Sequence, residues 1–154
     1  MISIEGNFEN REVNKLLIKH FEELKSVSPE GSAHVLDIPG LKTSSIKFWS
    51  IWQDNVLIGC GALKFLDQNH GEFKSIRVVD NFRKKGFGFK IIKHLIKEAK
   101  KLNINILSLE TGSGDFFIPA RKLFEKSGFK VCEPFAHYKK DVNSVYLTKF
   151  IDTK

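Results

Sequence analysis

Cysteine is scarce in this chain, with two residues among 154, and proline, methionine and tyrosine are few as well, at four, one and two. Each scarcity excludes something. Cys60 and Cys132 are too few for a disulfide framework and lack C-x-x-C spacing, so reduced thiols are expected. No apolar run approaches the roughly 20 residues that a membrane span needs, and the N-terminal stretch carries Glu5, Glu9 and Glu12 where a secretory signal would be apolar. The expected setting is cytoplasmic, with no membrane partner. The histidines (His20, His34, His70, His94 and His137) show neither H-E-x-x-H nor clustered Cys/His spacing, so no metal is expected. Gly112-Ser113-Gly114 is not a G-x-S-x-G nucleophile elbow, and Cys60, between two glycines with no adjacent histidine, reads as a buried structural thiol.

What is present is globular: 42% hydrophobic and 28% charged residues, with no internal repeat, low-complexity tract or linker. Residues 1–154 suit one domain with a proper core. The net charge of +7 favours an anionic ligand. Lys90, Lys93, Lys97 and Lys100 lie opposite an apolar stripe of Ile91, Ile92, Leu95, Ile96, Ala99 and Leu102, which makes them a solvated helix face. No interleaved aromatic residues suggest base stacking, and nucleic acid is not expected as a partner.

Helical spacing of Val13, Leu16, Leu17, Phe21 and Leu24 predicts a helix over residues 10–25, after a short first strand at 1–4. Residues 32–45 are irregular and suit a short helix or a loop. Strands are predicted over 47–53, 56–66 and 72–78, joined by turns at Asp54-Asn55 and Asn69-His70-Gly71. The first of these is apolar on both faces, Phe48 and Trp52 on one and Trp49 and Ile51 on the other. A helix after the third strand, a strand at 104–109, a loop at 111–114, a helix over 118–127 and closing strands at 129–133 and 145–150 complete the order.

The stretch Arg83-Lys84-Lys85-Gly86-Phe87-Gly88 stands where the third strand passes into the long helix. Its glycines permit a tight turn and close backbone approach, and the unpaired amides of a helix start bind phosphate groups. The nucleotide pattern G-x-x-x-x-G-K-[ST] is absent, and G-x-G-x-x-G fails at Ile91. What fits is R-x-x-G-x-G between strand and helix. This resembles the coenzyme A loop, [QR]-x-x-G-x-[GA], of the GCN5-related N-acetyltransferases (GNAT). A second segment, Ala120-Arg121-Lys122-Leu123-Phe124-Glu125-Lys126-Ser127-Gly128-Phe129, resembles the family's A-x-x-L-Y-E-K-x-G-F.

The resemblance implies an α/β (α+β) acyl-CoA N-acyltransferase fold, with a mixed, mostly antiparallel, splayed sheet flanked by helices. It implies an acyltransferase that uses acetyl-CoA as co-substrate and an amine of a small molecule or peptide as acceptor, as a monomer or homodimer. Backbone groups of Ile76 and Val78 would pair with the pantetheine arm, and Arg83, Lys84, Lys85, Gly86, Phe87, Gly88 and Phe89 would hold the pyrophosphate. The attacking amine needs a base, because an ordinary lysine-like amine is protonated at pH 7. Glu72 is the first candidate and Glu110 the second. Regular alternation predicts that Glu72 shares a face with Ile76. Phe124 stands where the family often has a tyrosine acid, so either Tyr138 or water substitutes or no acid is needed. The departure also leaves a non-catalytic acyl-CoA-binding module as the alternative function. Lys74 and Arg77 would favour an acceptor bearing a carboxylate. His34 and His137 would either line the acceptor pocket or, the preferred reading, be surface loop residues.

Overall fold

The computed structural model describes residues 1–29 and 34–152. The elements run β1 (Ile2–Glu5), α1 (Arg11–Val27), α2 (Ile38–Leu41), β2 (Ile46–Gln53), β3 (Val56–Phe65), β4 (His70–Val78), α3 (Phe87–Lys101), β5 (Ile106–Gly112), α4 (Ile118–Lys126), β6 (Lys130–Cys132) and β7 (Ser144–Phe150). Single 3₁₀ turns at Asp80–Phe82 and Asp115–Phe117 precede α3 and α4. The strands form one open sheet in the order β1-β2-β3-β4-β5-β7-β6. Only β4 and β5 run parallel; the other neighbours are antiparallel. The mixed, mostly antiparallel sheet flanked by helices is the expected one.

Two cores sandwich this sheet. On one face α1 and α2 bury Val13, Leu16, Leu17 and Leu41 against Phe48, Leu57, Cys60 and Ala62. On the other, α3 and α4 bury Ile91, Ile92, Leu95, Ala99 and Phe124 against Trp49, Ile51, Ile58, Leu63 and Phe73. Strand β2 is therefore covered on both sides, as its apolar pattern requires. Each fully buried Ile or Leu of α3 contributes about 1.5–3 kcal/mol relative to exposure.

Local chemistry explains most boundaries. The Asn10 side chain accepts from the amides of Glu12 and Val13 at 2.9 and 3.1 Å and starts α1. Asp54 and Asn55 both take positive φ, 51° and 64°, as a two-residue hairpin requires. Gly128, at φ 97°, stops α4.

Of the boundaries that differ from the sequence reading, two bear on the site. The turn expected at Asn69-His70-Gly71 closes earlier, because Asp67 Oδ1 accepts from the amides of Asn69 and His70 at 2.9 and 2.8 Å. His70 and Gly71 are thereby released into β4. Gly71 is there for closeness, since a Cβ would stand 2.5 Å from Leu63 Cδ1. At the other end, β5 continues through Thr111 to Gly112, where a loop was expected, because β7 pairs with it up to Gly112↔Ser144. Of the irregular region 32–45, residues 32 and 33 lie outside the described residues and the rest contains α2.

Candidate active site

The site begins with a misfit in β4. Across from β3, Ala62 pairs with Lys74 and Cys60 with Arg77, so Ser75 and Ile76 together oppose Gly61. Ser75 takes up the extra residue at φ 55°, a left-handed conformation that costs a non-glycine residue about 1–3 kcal/mol. The bulge shifts the strand's phase. Glu72, Lys74 and Arg77 face α1, whereas Phe73, Ile76 and Val78 pack on the α3 side. Regular alternation, which puts Glu72 and Ile76 on one face, is corrected by this one residue.

The sheet opens at the same place. The parallel ladder between β4 and β5 runs from His70↔Ile106 to Glu72↔Ser108, although β4 continues to Val78 and β5 to Gly112. Beyond Glu72 the two strands diverge. The Val79 amide donates to Ile58 O of β3 at 2.9 Å, and strand alternation turns the amides of Val78 and Ile76 the opposite way, into the gap.

Above the gap lies the loop into α3. Lys84 and Gly86 take positive φ, 60° and 84°. Gly86 is the N-cap of α3 and offers no capping side chain, so the first amides of the helix point outward. No atom lies within 4 Å of where its Cβ would be, which leaves room at the cradle. Gly88 serves packing, because a Cβ there would stand 2.6 Å from Leu123 Cδ2 on α4. Phe87 meets Phe82 edge-on at 5.2 Å, and Phe89 lies under Lys126 and Lys93 at 5.1 and 5.9 Å. Lys84 and Lys85 are exposed. Arg83 is directed elsewhere, with Nε 3.4 Å from Asp80 and Nη2 3.7 Å from Glu23.

That turn of Arg83 belongs to an ion-pair network between α1 and the loop. Arg77, 4% exposed, donates to Glu23 at 2.7 Å and to Asp80 at 3.2 Å, and Lys19 closes on Asp80. The hydrogen bond from Arg77 holds the Glu23 carboxyl below its usual range, and that from Lys19 does the same for Asp80. His20 lies buried behind them, its pKa lowered to about 4 by burial and by Arg77, with no partner for Nδ1. Arg77 is thus committed within the fold and is not available to an acceptor carboxylate.

Glu72 sits where β4 and β5 part, and it is 2% exposed. Its Oε2 accepts from Tyr138 Oη at 2.6 Å and from Lys74 Nζ at 3.1 Å, and Lys74 also donates to Tyr138 Oη at 3.0 Å. Lys74 is therefore neutralised as well. Burial, then Glu72 and Glu110, push the Tyr138 phenol well above its ordinary pKa, so it stays a proton donor. On the opposite strand Glu110 holds His34, with both carboxylate oxygens 2.6 and 2.7 Å from Nδ1, and accepts from Ser144 Oγ at 2.9 Å. The His34 and Tyr138 rings are 5.2 Å apart, so the two clusters adjoin across the opening.

The sequence pointed to Glu72, Glu110 and the glycine loop; it gave His34 a place in the acceptor pocket only as the less favoured reading, did not bring in Ser144, and left Tyr138 only as a substitute donor. Their contacts span 76, 34 and 66 positions, and no local pattern records such pairings. Phe124 is buried and meets Phe129 edge-on at 5.6 Å. Cys60 is fully buried, and burial pushes its thiol up to about 12. Among the described residues no cluster of three His, Cys, Asp or Glu could hold a metal, and no helix is long and apolar enough to cross a membrane.

A model of the Acetyltransferase (GNAT) family matches residues 11–129 of this chain. The uncharacterized N-acetyltransferase YsnE of Bacillus subtilis (strain 168) is 47% identical over 139 residues, covering 90% of this chain and 92% of that protein. The uncharacterized N-acetyltransferase YedL of Escherichia coli (strain K12) is 39% identical over 136 residues, covering 88% and 86%. The crystal structure of a Bacillus subtilis acetyltransferase in complex with CoA has a TM-score of 0.70 at 22% identity, over 97% of both chains.

Proposed function

The chain belongs to the GNAT acetyltransferase family, and from that premise we propose that residues 1–154 act as one N-acetyltransferase domain that moves the acetyl group of acetyl-CoA to a primary amine of a small molecule or peptide. The observation that carries this reading is the divergence of β4 and β5 beyond Glu72↔Ser108, in a strand that leads through the Asp80–Phe82 turn to a helix start with no capping side chain. A gap with strand amides along one edge suits an extended amide-bearing arm, and a glycine-capped helix start suits a pyrophosphate.

In this reading the amides of Ile76 and Val78 pair with the pantetheine arm. Arg83, Lys84, Lys85, Gly86, Phe87, Gly88 and Phe89 form the pyrophosphate cradle, with backbone amides as donors and Lys84 and Lys85 as added charge. Arg83 acts from behind, by tying the loop to Asp80 and Glu23. The bound co-substrate supplies an acetyl thioester. An amide directed into the gap polarises the carbonyl oxygen where negative charge develops. The amine nitrogen forms the new C–N bond, the C–S bond breaks with its electron pair on sulfur, and the proton shed by nitrogen passes to Glu72 by way of Tyr138. Thiols ionise near pH 8.5, so sulfur leaves without an obligatory acid at Phe124.

Titration calorimetry with acetyl-CoA, followed by free-thiol release over a panel of amines, tests the proposal. Binding with amine-dependent thiol release is expected. Binding without release from any amine would leave the non-catalytic acyl-CoA-binding module, and absence of binding would remove both.

A further inference from the structure

Glu72 is poorly placed to meet an arriving ammonium ion. Its side chain is 3% exposed, and its Oε2 already accepts from both Tyr138 and Lys74. An amine that enters protonated must nevertheless lose two protons: one before it has a lone pair to attack with, and a second once the C–N bond forms. Two proton acceptors with different access suit that sequence.

The second centre is His34. Its side chain is 36% exposed, and its Nδ1 lies between both oxygens of Glu110, whose own side chain is 10% exposed. A carboxylate engaged with Nδ1 fixes the proton on that nitrogen and leaves the Nε2 lone pair outward, the arrangement by which a buried carboxylate prepares an imidazole as a base. Ser144 Oγ, at 2.9 Å, holds Glu110 Oε2 in place from β7. The ionisable groups around the ring come from four elements: Glu110 on β5, Tyr138 in the segment before β7, Tyr146 on β7 beside Tyr138 and Glu110, and Lys74 with Glu72 on β4 behind Tyr138.

We infer that His34, oriented by Glu110, is the catalytic base that neutralises the incoming ammonium, while the buried Glu72–Tyr138 pair takes the later proton. This deepens the acetyltransferase reading and rests on it. The ammonium proton moves to His34 Nε2 and from there to solvent. The freed lone pair makes the C–N bond, the thioester C–S bond breaks, and the nitrogen's second proton enters the Glu72–Tyr138 pair, from which the departing sulfur is reprotonated. The sum is one amide, one thiol and one proton released.

The pH profile of kcat/KM for the wild type, His34→Gln, Glu110→Gln and Glu72→Gln separates these roles. His34→Gln is expected to lower kcat/KM at pH 7 by about 10²-fold or more. The defect should shrink towards pH 10, where the acceptor arrives with its lone pair already available. Glu110→Gln, which removes the carboxylate that holds Nδ1, should cost about tenfold in kcat/KM at pH 7, because the ring is free to turn or to take the other tautomer. Glu72→Gln should show no such recovery at high pH. Acetyl-CoA affinity of His34→Gln, measured by calorimetry, reports that the variant is folded. Wild-type turnover with His34→Gln within threefold of it at pH 7 overturns the inference alone. A wild type that binds acetyl-CoA and turns over no amine overturns this inference and the acetyltransferase reading together.

Discussion

The buried histidine of α1 makes the stability of this protein depend on pH in a way that can be calculated. His20 titrates at about 4 in the folded chain, against an ordinary value of 6.5. Between these values the unfolded chain binds a proton that the folded chain does not, so stability is complete above about 6.5 and falls as pH drops towards 4. Linkage over that interval gives a loss of about 2–3 kcal/mol by pH 4.5 relative to pH 7.5. For a chain of this size that corresponds to about 5–10 °C in Tm. Glu23 and Asp80 have lowered pKa values, so they remain charged across the same interval, and their contribution is lost only at lower pH. The perturbation is His20→Leu, which removes the titrating group. Because Nδ1 has no partner, the substitution breaks no hydrogen bond at that nitrogen. Chemical denaturation followed by the fluorescence of the buried Trp49 at pH 7.5 and 4.5 gives the four stabilities required. The wild type should lose about 2–3 kcal/mol more than the variant. Parallel losses in the two proteins would refute the reasoning.

Three further outcomes are expected. Glu72→Gln should lower kcat at pH 7.5 by about 10²–10⁴ with acetyl-CoA affinity within about twofold, by steady-state kinetics and calorimetry; retained kcat would remove Glu72 from the chemistry. Gly86→Ala meets no atom within 4 Å but must hold φ near 84°, so it should cost about 1–2 kcal/mol of backbone energy. That cost should appear as weaker coenzyme binding, and unchanged calorimetry would show that the loop conformation is not needed. Phe124→Tyr places a hydroxyl in the core beside Phe129 and should destabilise the protein by about 1–3 kcal/mol without raising kcat; a severalfold gain in kcat would mean that a missing acid is limiting.

The parts of this fold that were legible from sequence are those set by neighbours in the chain. Asn10 caps α1, Asp54 and Asn55 make the hairpin, and Phe48, Trp49 and Ile51 announce a strand covered on both sides. The glycine loop could be read because Gly86 answers a local demand for a left-handed backbone, whereas the reason for Gly88, the closeness of Leu123 on α4, lies far along the chain. What could not be read depends on distant partners. Arg77 looks like a cation available to a ligand until Glu23 and Asp80 are found against it. His34 looks like a loop residue until Glu110 meets it from a strand. Ser75 gives no signal for its left-handed conformation, since serine has no special tolerance of it, yet its position decides which face Glu72 serves.

That single out-of-phase residue divides β4 into two independently variable halves. Substitutions at 70, 72 and 74 alter only the face turned towards α1 and Tyr138, while 76 and 78 stay with the face that packs on α3. The two faces of β4 can therefore change in sequence independently of one another. Removing Ser75 would restore plain alternation through 74, 76, 77 and 78, with each of those side chains still on its present face and the left-handed residue gone.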